Sequence, residues 1–506
     1  MRNTIDINDI FKEKFRNKLR ASKNGINMTV AMNVLLCALA ILTPPDLDAR
    51  QWDNGKLTVS ADKHFIVHEN GKPFYWIGNT AWEMTHFSKR EEVDMFLENR
   101  HENGYTVVLT CALAEVQGMT LPNAYGYLPL KNQDPLQPVE EYWKYIDYVI
   151  EKAAENDIYI ALVVTWGTWL HDAKIINDGN AFRFGQWIGN RYRNNPNIIY
   201  ILGCDREPLI KGSFDDTPIW DKLAGGIKST DPDHLMSYLP KSRSSSFFQN
   251  TWWLDFNIMQ TGHALLDNPA SYLWIESDYQ MTPVKPTIDC EPRYEDHPVN
   301  WNDDNGFFTD FDSRQTVYWS LFAGAFGCNY GNRSIISWYA PGYQAKLWYG
   351  TPGQYWYESM EQPGSLDMRH VSDLLKSRPF LSLMPDQSII SSENPSDGSH
   401  YQAARGDGYL FVYNPYGKIL SIYMNKISGN SLNCYWYSPR EGKIQVIGTF
   451  NGGSDTMTFD PPGNEGRGND WILVIDDASK NYPLPGERNN AVELWTIENY
   501  KEGHSF

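Results

Sequence analysis

The sequence predicts an α/β protein, a TIM-type (β/α)8 barrel followed by a C-terminal all-β sandwich domain. Three observations carry that prediction. Short apolar runs alternate with amphipathic stretches of helix length through the first three quarters of the chain, the pattern of parallel strands joined by crossover helices. One run, Ile198 to Gly203, lies between Pro196 and a charged turn and is apolar throughout, as in a strand buried on both faces. From residue 385 the rhythm changes to short strands separated by turns (GDGYLFVYNPYGK, NCYWYSPREGKI, DWILVIDD), which reads as a sandwich.

With 506 residues the chain exceeds one ordinary domain, so a barrel of about 250 to 330 residues plus an accessory domain is the natural partition. The expected boundaries are an export segment over 1–49, the barrel with an N-terminal hairpin over 50–380, the sandwich over 381–478 and a tail over 479–506. A formal charge of −18 leaves no basic stripe to neutralise phosphates, which argues against nucleic acid as a partner. Nineteen Trp and thirty Tyr exist in the chain; some must fill cores, and their number also suits stacking on sugar rings. The six Cys form no CxxC pair and no HExxH motif occurs. The cysteines therefore read as small buried hydrophobes, and no metal or cofactor is expected.

Taken in order, residues 1–27 are polar and basic, and Val30 to Leu42 form a mostly apolar run. At about 13 residues the run is too short to span a bilayer and suits a signal-peptide core. Ala49 offers a small residue for cleavage. An exported protein, periplasmic or extracellular and without an integral membrane segment in the mature chain, is the expectation; an amphipathic N-terminal helix is the alternative. Alternating apolar residues around Asn70-Gly71 predict a hairpin. Its second arm, from Phe74, runs into the first barrel strand, which ends at Asn79, Thr80 and Trp82.

A helix is expected over Lys89 to Asn103, closed by Gly104, then a second strand over Tyr105 to Cys111 and a long loop carrying Glu115. The next helix covers Val139 to Asn156. The third strand, IYIALVVTW, ends at Trp166, and the loop after it carries His171. A helix over Ala181 to Arg193 leads into the fourth strand, which ends in Asp205 and Glu207 before Pro208. The second half is less regular. Strands five to eight are assigned to 234–240, 255–263, 285–291 and 325–331, with helices from about Ser313 to Phe322 and near Asp367 to Lys376.

The C-terminal ends of barrel strands carry the chemistry of this architecture. The seventh strand, in KPTIDCEPRYE, repeats the design of the fourth, with Glu291 before Pro292. Barrel closure would bring Asp205 and Glu291 onto one mouth. Two carboxyl groups so placed are what glycoside cleavage needs: one protonates the leaving oxygen, the other attacks or activates water. Glu207 rivals Asp205 as the acid. Asp289 rivals Glu291 less well, because it faces the same way from deeper in the strand. Trp82, Trp166 and Tyr330 form a sugar platform or cap the barrel. Gln260 and His263 are placed to bond sugar hydroxyls or steer the nucleophile. Asn79, Glu115, His171 and Asn332 are substrate-binding candidates from position alone.

The stretches FYWIGNTAW, RHENGYTVVL, YILGCD, IMQTGH and GCNYGNRSI resemble glycoside hydrolase family 140, whose characterised type is an apiosidase acting on rhamnogalacturonan II. YWYSPREGK and FDPPGNEGRGNDWILVIDD resemble the accessory domain that bears a collagen-binding label. Together the resemblance covers about residues 55–478. It implies a strand-four Asp as acid/base, a strand-seven Glu as nucleophile and retention of configuration, which map onto Asp205 and Glu291. Two departures stand out. The Gly-Gly-Asp usual before the acid is Gly203-Cys204-Asp205 here, and Arg333 stands where the family has a His. The expected function is an exported retaining exo-glycosidase acting on pectic, apiose-containing oligosaccharides. An inactive-barrel carbohydrate- or matrix-binding protein and an endo-acting glycanase are the alternatives.

Overall fold

The structure is a computed structural model that describes residues 50–343, 350–453 and 455–487. The predicted export segment over 1–49 and most of the tail lie outside the described residues. Leu57–Val59 (β1) pairs antiparallel with Ile66–His68 (β2). The Asn70-Gly71 turn forms as expected from sequence, with Gly71 at φ 85°, but its second arm is held to β2 by a single bridge, Val67 to Pro73.

The parallel strands follow: Trp76–Thr80 (β3), Val107–Cys111 (β4), Tyr159–Val163 (β5) and Ile198–Gly203 (β6). A two-residue hairpin pairs Leu209–Ile210 (β7) with Phe214–Asp215 (β8). Then come Met236–Leu239 (β9), Asn257–Met259 (β10), Thr287–Asp289 (β11) and Gly327–Tyr330 (β12). The hydrogen-bonded order β12-β3-β4-β5-β6-β9 makes one curled six-stranded parallel sheet, and β10-β11 make a separate parallel pair. The eight strands thus keep the predicted chain order without forming one continuous ladder. At the two seams the Asp255 N–H donates to Met236 C=O (2.9 Å) and the Phe326 N–H to Thr287 C=O (3.0 Å).

All six residues of β6 are buried, as a strand covered on both faces requires. The helices supply the outer cover. Glu140–Glu155 buries Trp143, Ile146, Val149 and Ile150 on one stripe and keeps its charges outside, the amphipathic pattern that the sequence displays. Two helices, Thr217–Thr230 and Ala270–Tyr279, are absent from the sequence reading. The first contains Gly225-Gly226, which reads as a breaker. In the structure those glycines are a packing device: a Cβ on Gly226 would lie 2.1 Å from the Phe182 carbonyl oxygen, so Thr217–Thr230 and Ala181–Tyr192 meet backbone to backbone. No helix among the described residues is long and apolar enough to cross a membrane.

The C-terminal region is antiparallel. Met384–Pro385 (β13), Gln402–Gly406 (β14), Tyr409–Asn414 (β15), Leu420–Tyr423 (β16), Ser431–Tyr437 (β17), Ile444–Asn451 (β18), Thr456–Phe459 (β19) and Trp471–Asp477 (β20) form a six-stranded sheet and the pair β16-β19. Both sheets contribute to one core, which includes Leu410, Val412, Leu420, Ile422, Trp436, Phe459, Leu473 and Ile475. Strand alternation sends the other residues of β15 the opposite way. Phe411 stacks on Phe322 (5.4 Å) and Tyr413 on Tyr318 (5.2 Å) of helix Asp310–Phe322. Burial on both faces explains why every residue of β15 is apolar, aromatic or hydrogen-bonded within the fold. The same contact face carries ion pairs: Arg314 reaches Asp470 (3.0 Å), and Arg378 reaches Asp476 (2.6 Å).

Candidate active site

At the end of β6 the chain leaves the sheet through three consecutive left-handed residues, Gly203 (φ 81°), Cys204 (97°) and Asp205 (54°). Gly203 is required, since a Cβ there would sit 2.6 Å from the Tyr238 ring. Cys204 is fully buried, and its backbone is pinned by an N–H to Leu239 C=O (2.7 Å) and by the Gly167 N–H donating to its carbonyl (3.2 Å). The extra side chain that distinguishes this position from glycine therefore has room, at the cost of a backbone conformation that L-residues disfavour. Asp205 is half-buried. Arg206 donates through Nη1 to the Asp205 carbonyl (2.8 Å), approaches its Oδ2 (3.5 Å), and bonds Asp172 through Nε (3.1 Å).

At the end of β11, Glu291 is 8% exposed. Asp289, two residues earlier, spends both oxygens on holding this end of the site. Its Oδ2 accepts from the Thr261 hydroxyl (2.5 Å), and its Oδ1 accepts from the N–H groups of Thr261 (3.4 Å) and Glu291 (3.2 Å). The rival of Glu291 is thus a brace for it. The Gly262 N–H donates to the Glu291 carbonyl (3.0 Å). His263 lies against Glu291, with Nε2 at 3.3 Å from Oε1, and packs among the rings of Tyr294, His297 and Trp301. Burial pushes the His263 pKa down to about 3, so the ring is neutral.

The two strand ends converge. Gln260 lies close enough to Asp205 and to Glu291 to favour the charged form of each. Burial, then the charge of Glu291, pushes Asp205 up to about 6. Burial pushes Glu291 up to about 7 against the opposing influence of Gln260 and Lys241. A third carboxyl, Glu115, rises to about 8 through burial and then the charges of Asp205 and Glu83. Glu207 is also raised, by burial. The exposed Lys241 ammonium favours the charged forms of Asp205, Glu207 and Glu291 alike. Carboxyls crowded out of water share protons near neutral pH. Gln260 Oε1, Glu291 Oε2, Glu207 Oε2 and Trp166 Nε1 are buried without a hydrogen-bond partner among the described residues. A buried polar atom in that condition costs free energy.

The other sequence-predicted residues divide. Trp82 and Trp166 pack edge to face (5.4 Å) beside the mouth. Asn79 is drawn away from it: its Oδ1 accepts from Arg100 (3.0 Å) and its Nδ2 donates to the carbonyls of Thr80 and Tyr330. Tyr330 donates to Glu295 (2.6 Å) and is fully buried. Asn332 caps helix Arg333–Ser337 by accepting from the Ser334 N–H (2.8 Å) and bonds Gln362. His171 pairs with Asp216 (2.5 Å). These four are engaged in bonds within the fold where they stand. Arg333 reaches Asp303 (3.2 Å) and lies over the Phe307 ring. Lys241 and Thr261 are missed by sequence reasoning. Lys241 directly follows a predicted strand and Thr261 lies in the last residues of another, and that placement is the one signal that points to them.

A family model for the "Apiosidase-like, catalytic domain" matches residues 60–382. A second model, "Putative collagen-binding domain of a collagenase", matches residues 384–476. A crystal structure titled as a glycoside hydrolase family 5 from Bacteroides vulgatus is 34% identical, with a TM-score of 0.80 over 90% of this chain and 99% of that one. Another solved structure, titled "Glycoside hydrolase", is 33% identical, with a TM-score of 0.78 over 85% and 99% of the two chains. Comparison with curated proteins finds no match. With its matched region spanning β3 to β12 and both carboxyl-bearing strand ends, the chain belongs to the apiosidase-like family of glycoside hydrolases.

Proposed function

We propose that this protein is an exported, retaining exo-glycosidase that releases a single sugar from pectic, apiose-containing plant cell-wall oligosaccharides. The eight parallel strands act in this reading as one (β/α)8 barrel with its mouth at their C-terminal ends. The observation that carries the proposal is the pair of carboxyls just beyond the C-terminal ends of β6 and β11, Asp205 and Glu291, near enough that the charge of Glu291 raises Asp205.

In the reaction Asp205 gives its proton to the glycosidic oxygen as the bond to the leaving group breaks. Glu291 attacks the anomeric carbon, forming a glycosyl-enzyme ester; retaining enzymes place such carboxyls about 5–5.5 Å apart. Asp205 then removes a proton from water, which releases the sugar and restores Glu291. The singly protonated pair is the productive form. Burial raises both carboxyls toward neutral pH, so the pair holds one proton between them. Positive charge developing on the sugar beside Glu291 favours its ionised form and moves the proton to Asp205. Neutral Glu115 supplies a further donor at neutral pH.

The test is product release from a panel of pectic oligosaccharides, rhamnogalacturonan II side chains included, with wild type beside Asp205→Ala and Glu291→Ala. Release of one monosaccharide, lost in both variants, is the expected result. Internal cleavage to oligomers would replace the exo reading with an endo one, and binding without turnover would establish a carbohydrate-binding protein.

A further inference from the structure

We propose that the C-terminal β-region is part of the catalytic apparatus, and that Arg467 is the positioning residue through which it acts on Glu291. The inference rests on the two-carboxyl glycosidase reading and assigns the β-region a task within it.

Four charged side chains alternate in sign at the junction. Arg467, from the loop between β19 and β20, bonds Asp312 and lies 3.5 Å from Asp267. Arg293 faces the same two carboxylates, 3.7 Å from Asp312 and 4.0 Å from Asp267. Arg293 and Asp312 are fully buried. Asp312 uses its second oxygen to accept from the Thr309 N–H (2.8 Å) and hydroxyl (3.0 Å), so it is fixed at the start of helix Asp310–Phe322.

Each member of this quartet leads to the site by a short route. Arg293 is two residues beyond Glu291, and its guanidinium is clamped by Thr316 (2.6 Å) and Gln315 (2.7 Å) of the same helix. Gln315 in turn donates to Gly398 C=O of the β-region (2.7 Å). Asp267 neighbours Asn268, whose Nδ2 donates to the Thr261 carbonyl (2.9 Å). Thr261 holds Asp289, the brace of Glu291. Tyr416 of the β-region adds a hydroxyl bond to Asp267 (3.3 Å). Thus the loops that carry Glu291 and Gln260–His263 are both fastened to the β-region, and Arg467 touches both fastenings.

Removing the Arg467 charge leaves two carboxylates facing the single guanidinium of Arg293. Arg293 is then drawn toward Asp312, and the Glu291 backbone moves with it. A misplacement of about 1 Å, remote from the reacting atoms, is enough to cost one to two orders of magnitude in rate. The experiment uses the full chain with Arg467→Met and Arg467→Lys, and with Lys480→Met as a control. Lys480 pairs with Asp407 on the exposed side of the β-region. Expected for Arg467→Met is a fall in kcat of about tenfold or more per folded molecule, a KM changed less than kcat, and a shifted limb in the pH profile of kcat/KM. Lys should restore part of each, and Lys480→Met should leave all three unchanged. A pH profile and kcat equal to wild type in folded Arg467→Met overturn the proposal. Absence of turnover in wild type would instead overturn the glycosidase reading. The positioning claim is then decided by the Glu291 carboxyl titration, followed by NMR in 13C-glutamate protein with Glu291→Gln as the assignment: an unmoved titration in Arg467→Met overturns it, a moved one supports it.

Discussion

At the end of β6, Asp205 leaves the sheet through left-handed backbone, half exposed, with a guanidinium and an ammonium among its neighbours. At the end of β11, Glu291 is buried, its own N–H is held by Asp289, its carbonyl by Gly262, and its carboxyl lies against a neutral histidine. The contrast fits a division of labour. A group that exchanges protons with a departing oxygen and then with water gains from access to solvent. A group that forms and breaks a bond to carbon gains from being held still in a dry place.

Substitution of the two carboxyls is the strongest way to break this comparison. Glu291→Ala should lower kcat by at least about 10⁴-fold on every substrate, because no other group replaces an attacking carboxylate. Asp205→Ala should lose roughly 10²–10⁴-fold on sugar aglycones. It should lose far less on an aryl glycoside whose leaving group needs no proton. Equal losses on both substrates would assign the acid elsewhere, with Glu207 as the first candidate. The wild-type pH profile sharpens the same point. With Asp205 raised to about 6 and Glu291 to about 7, kcat/KM should fall at acid pH as both become protonated and at alkaline pH as both ionise. A narrow bell centred between those values is expected across pH 4 to 9.

The brace is next. Asp289→Ala removes the acceptor for two backbone N–H groups and a hydroxyl, and a buried donor left unsatisfied costs about 1–3 kcal/mol. Thermal stability should drop, and kcat should fall about 10- to 100-fold with little change in KM. Asp289→Asn retains an acceptor for both N–H groups and should recover most of the rate. A loss in Asn as severe as in Ala would show that the negative charge, and not the bonding, is what Asp289 contributes.

Much of this organisation is legible in the sequence, for identifiable reasons. The strand ends at Asp205 and Glu291 stand out because a fully buried strand must be apolar and an acid at its end contradicts the run. Gln260 and His263 close the predicted strand over 255–263 and stand out by the same logic. Asn79, Tyr330 and Asn332 also sit at strand ends, yet they turn to Arg100, Glu295 and Gln362. Position along a strand does not reveal which side chains the surrounding helices claim. Helix Thr217–Thr230 was hidden because its paired glycines read as a break while the partner helix that requires them lies elsewhere in the sequence. The quartet of Arg293, Asp267, Asp312 and Arg467 joins four separated segments, and each charge alone reads as a solvated surface residue.

Glu115 offers a gentler probe of the shared proton. Its carboxyl, raised from the usual range to about 8, binds a proton in the folded state that the unfolded chain releases near pH 4.5. Its contribution to stability is therefore full below that value and is lost as pH rises through about 8. Glu115→Gln keeps a neutral amide at all pH values. The melting temperature of the variant relative to wild type should rise from pH 5 to pH 9, and activity at pH 6 should stay within about threefold. A difference in melting temperature that is flat with pH would mean that Glu115 is ionised in the folded protein.

The smallest effect is expected at Cys204. A non-glycine residue at φ 97° carries strain of roughly 1–2 kcal/mol, and glycine, the usual residue here in the resembling family, would remove it. The buried side chain contributes in the opposite direction, about 1 kcal/mol for its transfer from water, and glycine adds entropy to the unfolded chain. These contributions nearly cancel, so Cys204→Gly should change stability by less than about 1 kcal/mol and leave the Glu291 limb of the pH profile where it is. The Asp205 limb should respond, because the turn that aims Asp205 becomes freer while Asp289 and Thr261 still hold Glu291. If instead the Glu291 limb moves and the Asp205 limb does not, the two strand ends are not independently supported, and the contrast between a solvent-facing acid and a braced nucleophile fails.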